Sequence, residues 1–141
     1  MTQGASMTIV EKVLFLRSVD FFAQTAIEDL GRVAALTTDM RFDAEETIFR
    51  AGEPVDAIHF IVEGRVAVER DAAPIRPLGA KEALGMVAAL DQEPAPHTVR
   101  CIEPVYALKL NAHDFHDMLA HDYEQVRAVF RALCRMIREN S

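Results

Sequence analysis

A chain of 141 residues, half of them apolar and 26% charged, has enough material for one hydrophobic core and the make-up of a globular protein. Its net charge of −7 excludes the clustered-cation profile on which duplex nucleic-acid binding depends, and no run approaches the roughly 18 apolar residues of a membrane span, so neither nucleic acid nor membrane is an expected partner. The start, MTQGASMTIVEKV, has no secretory signal pattern, and two cysteines without a C-x-x-C pair, Cys101 and Cys134, fit reduced thiols in a cytoplasmic protein.

Residues 1–6, MTQGAS, read as a flexible extension or cloning scar before a second start at Met7, leaving a single domain over residues 7–141. Residues 8–16 (TIVEKVLFL) and 25–36 (TAIEDLGRVAAL) predict two short helices around RSVDFF. Thr25 with Glu28 three positions on forms a capping-box pattern for the second, whose apolar face carries Leu30, Val33 and Ala34. From Thr38 the period changes to that of strands: TDMRF, ETIFR, AIHFIVE and RVAVER run apolar or alternate between turn residues. Ile58, Phe60 and Val62 share one face, as do Val66 and Val68. Gly52 and Gly64 fall where turns need positive φ.

Asp71 to Pro77 predicts a polar connection with at most a short strand. HTVRCIE and VYALKL predict two further strands broken at Pro104. The remainder is helical, with Asn111 capping AHDFHDMLA and Asp122 capping YEQVRAVFRALCRMIRE. The expected architecture is mainly β, an antiparallel β-roll or jelly roll with N-terminal and C-terminal helices.

Catalytic patterns are absent from the sequence: no G-x-S-x-G, no P-loop, no H-E-x-x-H, and serines only outside the predicted roll, so no enzyme is expected. His113, His116, Asp117 and His121 share one helix at spacings that could serve a metal, though a solvated face explains them equally and no metal is assigned. A cupin-like metalloenzyme would need two or three histidines facing into the roll, and His59 and His97 are the only ones on strands.

Four stretches carry a resemblance: FFAQTAIEDL, TIFRAGEPVDAIHFIVEGRVAV, PLGAKEALGMVAALDQEPAPHTVR and LKLNAHDFHDML. With the spacing of Gly52, Gly64, Gly79 and Gly85, they resemble the cyclic-nucleotide-binding domain, the sensor module of catabolite activator proteins, cyclic-nucleotide-dependent kinases and gated channels. The resemblance implies that residues 84–99 form the phosphate-binding cassette. There, a short helix turns its N-terminal amides toward the cyclic phosphate, a glutamate accepts the ribose 2′-hydroxyl and an arginine pairs with the phosphate. Leu84, Gly85, Met86, Val87 and Ala88, then Ala95, Pro96, His97 and Thr98, occupy the ligand-binding positions. Met86 stands where the family has its glutamate and Ala95 where it has its arginine, so the cassette is degenerate. His97 and Val99 share one strand face and Thr98 and Arg100 the other, and one of the two looks into the roll.

The resemblance implies a non-catalytic sensor or regulatory module. One reading has weak or lost cyclic AMP and cyclic GMP binding and action through protein contacts, as one piece of a larger protein. Another keeps a cyclic nucleotide or small anion on the cassette amides; no other cofactor is implied. The last helix presents Val126, Val129, Phe130, Leu133 and Ile137 as an apolar stripe, flanked by Arg127, Arg131, Arg135 and Arg138. It suits either docking on the roll or contact with a protein partner or a second copy in a homodimer.

Overall fold

A computed structural model of the chain describes residues 6–70 and 73–139. Residues 1–5 of the expected extension at 1–6, and the start of the connection at Asp71, therefore lie outside the described residues. Helix α1 (Ile9–Arg17) opens at Thr8, whose hydroxyl accepts the Glu11 N–H (3.1 Å) while the Glu11 carboxylate accepts the Thr8 N–H (2.8 Å). This reciprocal cap is the capping box of the chain. Helix α2 (Ile27–Leu36) starts at Ala26 without a side-chain cap, contrary to the expectation for Thr25 and Glu28. The Thr25 hydroxyl is taken instead by Gln125, whose amide donates to it at 3.0 Å from the last helix.

Two four-stranded antiparallel sheets follow. One is ordered β1 (Thr38–Phe42), β8 (Val105–Asn111), β3 (Ala57–Glu63) and β6 (Ala83–Leu84). The other is ordered β2 (Thr47–Phe49), β7 (Thr98–Cys101), β4 (Val66–Arg70) and β5 (Ala73–Leu78). Strand alternation divides the core into two parts. On the helix side, Ile58 and Phe60 of β3 and Leu108 and Leu110 of β8 pack with Leu16, Phe22, Leu30, Phe115 and Val129. Between the sheets, Ile61 packs with Val66, Val68, Leu84, Val99, Cys101, Val105 and Ala107.

The segment through Pro77 is more regular than its composition suggests: β5 runs six residues along β4. It is an edge strand, where proline without an N–H costs no ladder bond on the solvent side. Gly64 turns the chain between β3 and β4 at φ 98°, and a side-chain carbon there would lie 2.3 Å from the Pro104 carbonyl oxygen. Helices α4 (Ala112–His121) and α5 (Tyr123–Glu139) close the chain. Asn111 holds the N-cap position of α4 without a side-chain bond, and the Ala112 N–H is satisfied by the Asp56 carbonyl (2.8 Å). Asp122 does cap α5, accepting the Glu124 N–H at 3.0 Å.

Candidate functional site

Strand β6 lies against β3, with Leu84 opposite His59, and delivers the chain to Gly85. Gly85 adopts φ 88°, and a side chain there would meet the Phe49 ring at 2.8 Å and the Ala57 carbonyl at 3.1 Å. Only glycine fits this turn. The chain then coils into the six-residue helix α3 (Met86–Asp91), closed by Ala89 N–H to the Gly85 carbonyl (3.0 Å). Ala88 and Ala89 are buried, Val87 is exposed, and Met86 packs toward the helix-side core together with Leu90. The thioether at position 86 thus serves packing and offers no acceptor comparable to a carboxylate.

The return of the chain is tied to the β2–β3 turn. Ala95 N–H donates to the Glu53 carbonyl (2.9 Å), and the Ala95 carbonyl accepts the Gly52 N–H (2.8 Å). The Thr98 hydroxyl accepts the Ala51 N–H at 3.0 Å. Ala95 is buried and Pro96 exposed. The alternation of β7 is now fixed: Val99 and Cys101 look between the sheets. Arg100 forks outward, its Nε and Nη2 on Glu69 (3.2 and 2.9 Å) and its Nη1 on Glu45 (2.8 Å). Hydrogen bonding to Glu69 first, then the charges of Glu69 and Glu45, hold this guanidinium above its ordinary range. Arg100 is therefore committed away from the cassette interior. Arg76 and Lys81 are exposed.

Two histidines near the cassette carry a buried ring nitrogen without a partner. His97, two residues before Val99, has a buried Nδ1 with no hydrogen-bond partner. His59, on β3 beside the inward Ile61, is 6% exposed, and its Nδ1 is likewise buried and unpartnered. Its ring sits edge-on to Phe42 (centroids 5.7 Å) and Phe49 (5.5 Å). Burial, then the nearby Lys109, push the His59 imidazole down to about 4, opposed by Asp56. Period-two alternation of AIHFIVE puts His59 on the face opposite Ile58 and Phe60, and only the structure shows that this face looks between the sheets with Ile61; its aromatic neighbours come from strands of both sheets and have no local signal.

The histidines of α4 take separate partners. His116 Nε2 lies 2.6 Å from the Ala89 carbonyl of α3, His121 Nδ1 2.8 Å from the Asp117 carbonyl, and His113 3.7 Å from the Asp117 carboxylate on an exposed face. No group of three or more His, Cys, Asp or Glu among the described residues is placed to hold a metal ion. The apolar stripe of α5 splits: Val129 is buried and Val126 and Leu133 half-buried, whereas Phe130 (60%) and Ile137 (66%) are exposed along with Tyr123 (73%). Arg127 pairs with Glu124 (3.6 Å) and Arg135 with Asp20.

A two-sheet antiparallel roll with a helical insertion between β6 and β7, covered by terminal helices, is the architecture of a regulatory domain. The chain belongs to the cyclic nucleotide-binding domain family, whose model matches residues 39–122. Among curated proteins it is similar to an uncharacterized NTE family protein of Mycobacterium tuberculosis, at 28% identity over 89% of this chain and 22% of that protein. It is also similar to the cAMP-dependent protein kinase regulatory subunit of Dictyostelium discoideum, at 27% identity over 76% of this chain and 33% of the other. The chain thus spans a third or less of these relatives. Among solved structures, the N-terminal domain of a transcriptional regulator from Streptomyces coelicolor matches with TM-score 0.74 and 25% identity over 92% of each chain. The regulatory domain of Toxoplasma gondii PKA with cAMP shares the fold at TM-score 0.77 and 20% identity, over 88% of this chain and 49% of that one. So does the regulatory subunit of a cAMP-independent protein kinase A from Trypanosoma brucei, at TM-score 0.75 and 20% identity, over 92% and 47%. No helix among the described residues is long and apolar enough to cross a membrane.

Proposed function

We propose that this chain is a non-catalytic regulatory module in which cyclic AMP and cyclic GMP binding is weak or lost, and which acts through protein contacts of α5. In this reading residues 7–141 form one domain, a piece of a larger cytoplasmic protein. The length of the relatives supports the second point and two free cysteines support the compartment. The observation that carries the proposal is the pair Met86 and Ala95. One side chain packs into the core and the other is a buried methyl, where the family places the carboxylate for the ribose and the guanidinium for the phosphate. Each charge-assisted contact is worth roughly 1.5–3 kcal/mol. Losing two weakens binding by about 10²–10⁴-fold, at about 1.4 kcal/mol per decade. The fold itself is neutral on the question, since it is shared by one regulator solved with cAMP and another described as cAMP-independent.

The test is calorimetry on wild type and on the double variant Met86→Glu/Ala95→Arg with cyclic AMP and cyclic GMP. The wild type is expected to bind neither below millimolar concentration, and the variant to gain at least a hundredfold for one of them. Micromolar binding by the wild type, or no gain in a folded double variant, would overturn the reading.

A further inference from the structure

We infer that the cleft bounded by α3, α4 and the β2–β3 turn is a binding site for an aliphatic amine, a di- or polyamine cation, seated beside the cassette helix. The site is separate from the core between the sheets, with which it shares no lining residue, and it stands whether or not the cassette takes a nucleotide.

The cleft has a volume of about 310 Å³, at the small end of the range for ligand pockets. Its apolar lining is aliphatic: Pro54 and Val55 from the turn, Ala89 from α3 and Ala112 from α4. Its polar lining is Gln92 and Glu93 at the end of α3, with His113 and His116 near the start of α4. No Phe, Tyr or Trp lines it, so it offers no aromatic face to a quaternary ammonium. A methylene chain suits such a surface, lying along the aliphatic groups while its charged ends stay hydrated.

The charge around the cleft selects the sign of the ligand. The bordering stretches, residues 53–56, 91–94 and 112–117, hold Glu53, Asp56, Asp91, Glu93, Asp114 and Asp117 and neither lysine nor arginine. These six carboxylates stand against a net charge of −7 for the whole chain. None of the six pairs with a lysine or arginine among the described residues, and Asp117 faces His113 at 3.7 Å. Of the cations on adjoining elements, Lys109 of β8 lies across from His59 on β3, and Arg50 precedes the turn; neither lines the cleft. A cleft walled by one sign of charge concentrates ions of the other sign and repels its own.

An ammonium group brings only donors and needs acceptors. The Glu93 carboxylate is exposed and has no ion-pair partner among the described residues. His116 Nε2 lies 2.6 Å from the Ala89 carbonyl, which can only accept. Nε2 therefore carries the hydrogen, and the neutral ring keeps Nδ1 as an acceptor. A metal ion would ask for more, and no group of three or more His, Cys, Asp or Glu among the described residues is placed to hold one. Ala89 and His116 both line the cleft and are themselves a contact between α3 and α4, so an occupant touches both sides of that joint.

The experiment titrates the full chain, at physiological salt, with cadaverine and spermidine, and with tetramethylammonium and magnesium as cations without N–H donors. Calorimetry gives the affinity and NMR of the histidine ring protons gives the place. Saturable, submillimolar binding of at least one amine is expected, with shifts of His113 and His116 and none of His59. Glu93→Gln should weaken it about fivefold, the upper end for an exposed ion pair, while Glu28→Gln on α2 leaves it unchanged. Both positions are exposed, so both variants should fold as the wild type does. No saturation by either amine at millimolar concentration would overturn the site. Equal binding of tetramethylammonium or magnesium would overturn it too, reducing the effect to counterion screening, as would equal weakening by Glu93→Gln and Glu28→Gln. Cyclic-nucleotide affinity enters none of these outcomes, so the site and the degenerate cassette stand or fall separately.

Discussion

At the scale of single residues, His59 links the site to stability. Its imidazole is held near 4 in the folded chain, by burial first and Lys109 second, against 6.5 unfolded. Between those values the unfolded state binds more protons than the folded state. Stability from this group is therefore complete above pH 6.5 and is lost as pH falls toward 4. Denaturant titrations at pH 7 and pH 4.5 should show wild type losing about 2–3 kcal/mol more than His59→Leu over that interval. Equal losses would mean that His59 charges freely where it sits. A second buried cluster centres on Lys12. Lys12 donates to the Thr37 carbonyl (3.1 Å) and lies 3.3 Å from Asp39, which also accepts from the Tyr106 hydroxyl and the Met7 N–H (3.2 Å). Burial alone would raise the Asp39 carboxyl, but the bonds from Tyr106 and Met7 and the nearby Lys12 outweigh it and hold the group below its ordinary value. This cluster fastens α1 to β1 and β8. Removing one partner of a buried pair is costly, so Lys12→Ala should destabilise by about 3 kcal/mol in chemical denaturation. That positions 86 and 95 hold the uncharged Met86 and Ala95 was readable directly from the sequence. Neither the Lys12–Asp39–Tyr106 cluster nor the His59 aromatic cage was, because their members meet only through strand order.

At the scale of elements, two glycines separate what the backbone demands from what it tolerates. Gly64 has positive φ and no room for a side-chain carbon beside Pro104; Gly31, within α2, has nothing within 4 Å of that position. Gly64→Ala should cost at least about 2 kcal/mol, whereas Gly31→Ala should stabilise by about 0.5–1 kcal/mol through helix propensity. Melting temperatures moving in opposite directions would bear this out; a drop for both would mean that the α2 surface is covered. Elements set by strand alternation and by glycine turns, β3, β4, β7 and β8 among them, were legible in the sequence. Cap assignment was not: Thr8 with Glu11 and Thr25 with Glu28 present the same pattern, but α2 starts one residue later, with Ala26 at its N-cap, and the Thr25 hydroxyl accepts a long-range bond from Gln125. Strand β5 was obscured by its prolines, whose effect depends on whether the strand lies at a sheet edge, and edge position belongs to topology.

For the whole molecule the open matter is how the cassette could speak to a partner. The path is short: His116 of α4 touches the Ala89 carbonyl of α3, and α4 leads through Asp122 directly into α5. Helix α5 buries Gln125, Ala128 and Val129 against the roll and turns Tyr123, Phe130 and Ile137 outward. Those three recur every seven residues, with Val126 and Leu133 half-buried along one margin, which is the spacing of a helix-to-helix seam. An acidic chain that keeps arginines beside such a seam is suited to a partner helix of mixed charge, a second copy of α5 included. Sedimentation equilibrium on wild type and Phe130→Asp tests the self-association arm. Wild type should be dimeric at tens of micromolar and the variant monomeric. Because Phe130 is mostly solvent-exposed, its thermal stability at dilution should stay within about 0.5 kcal/mol of wild type. A monomeric wild type would move the contact to another protein. A variant that melts well below wild type at dilution would show instead that the stripe docks on its own roll, leaving α5 no free face through which the cassette could signal.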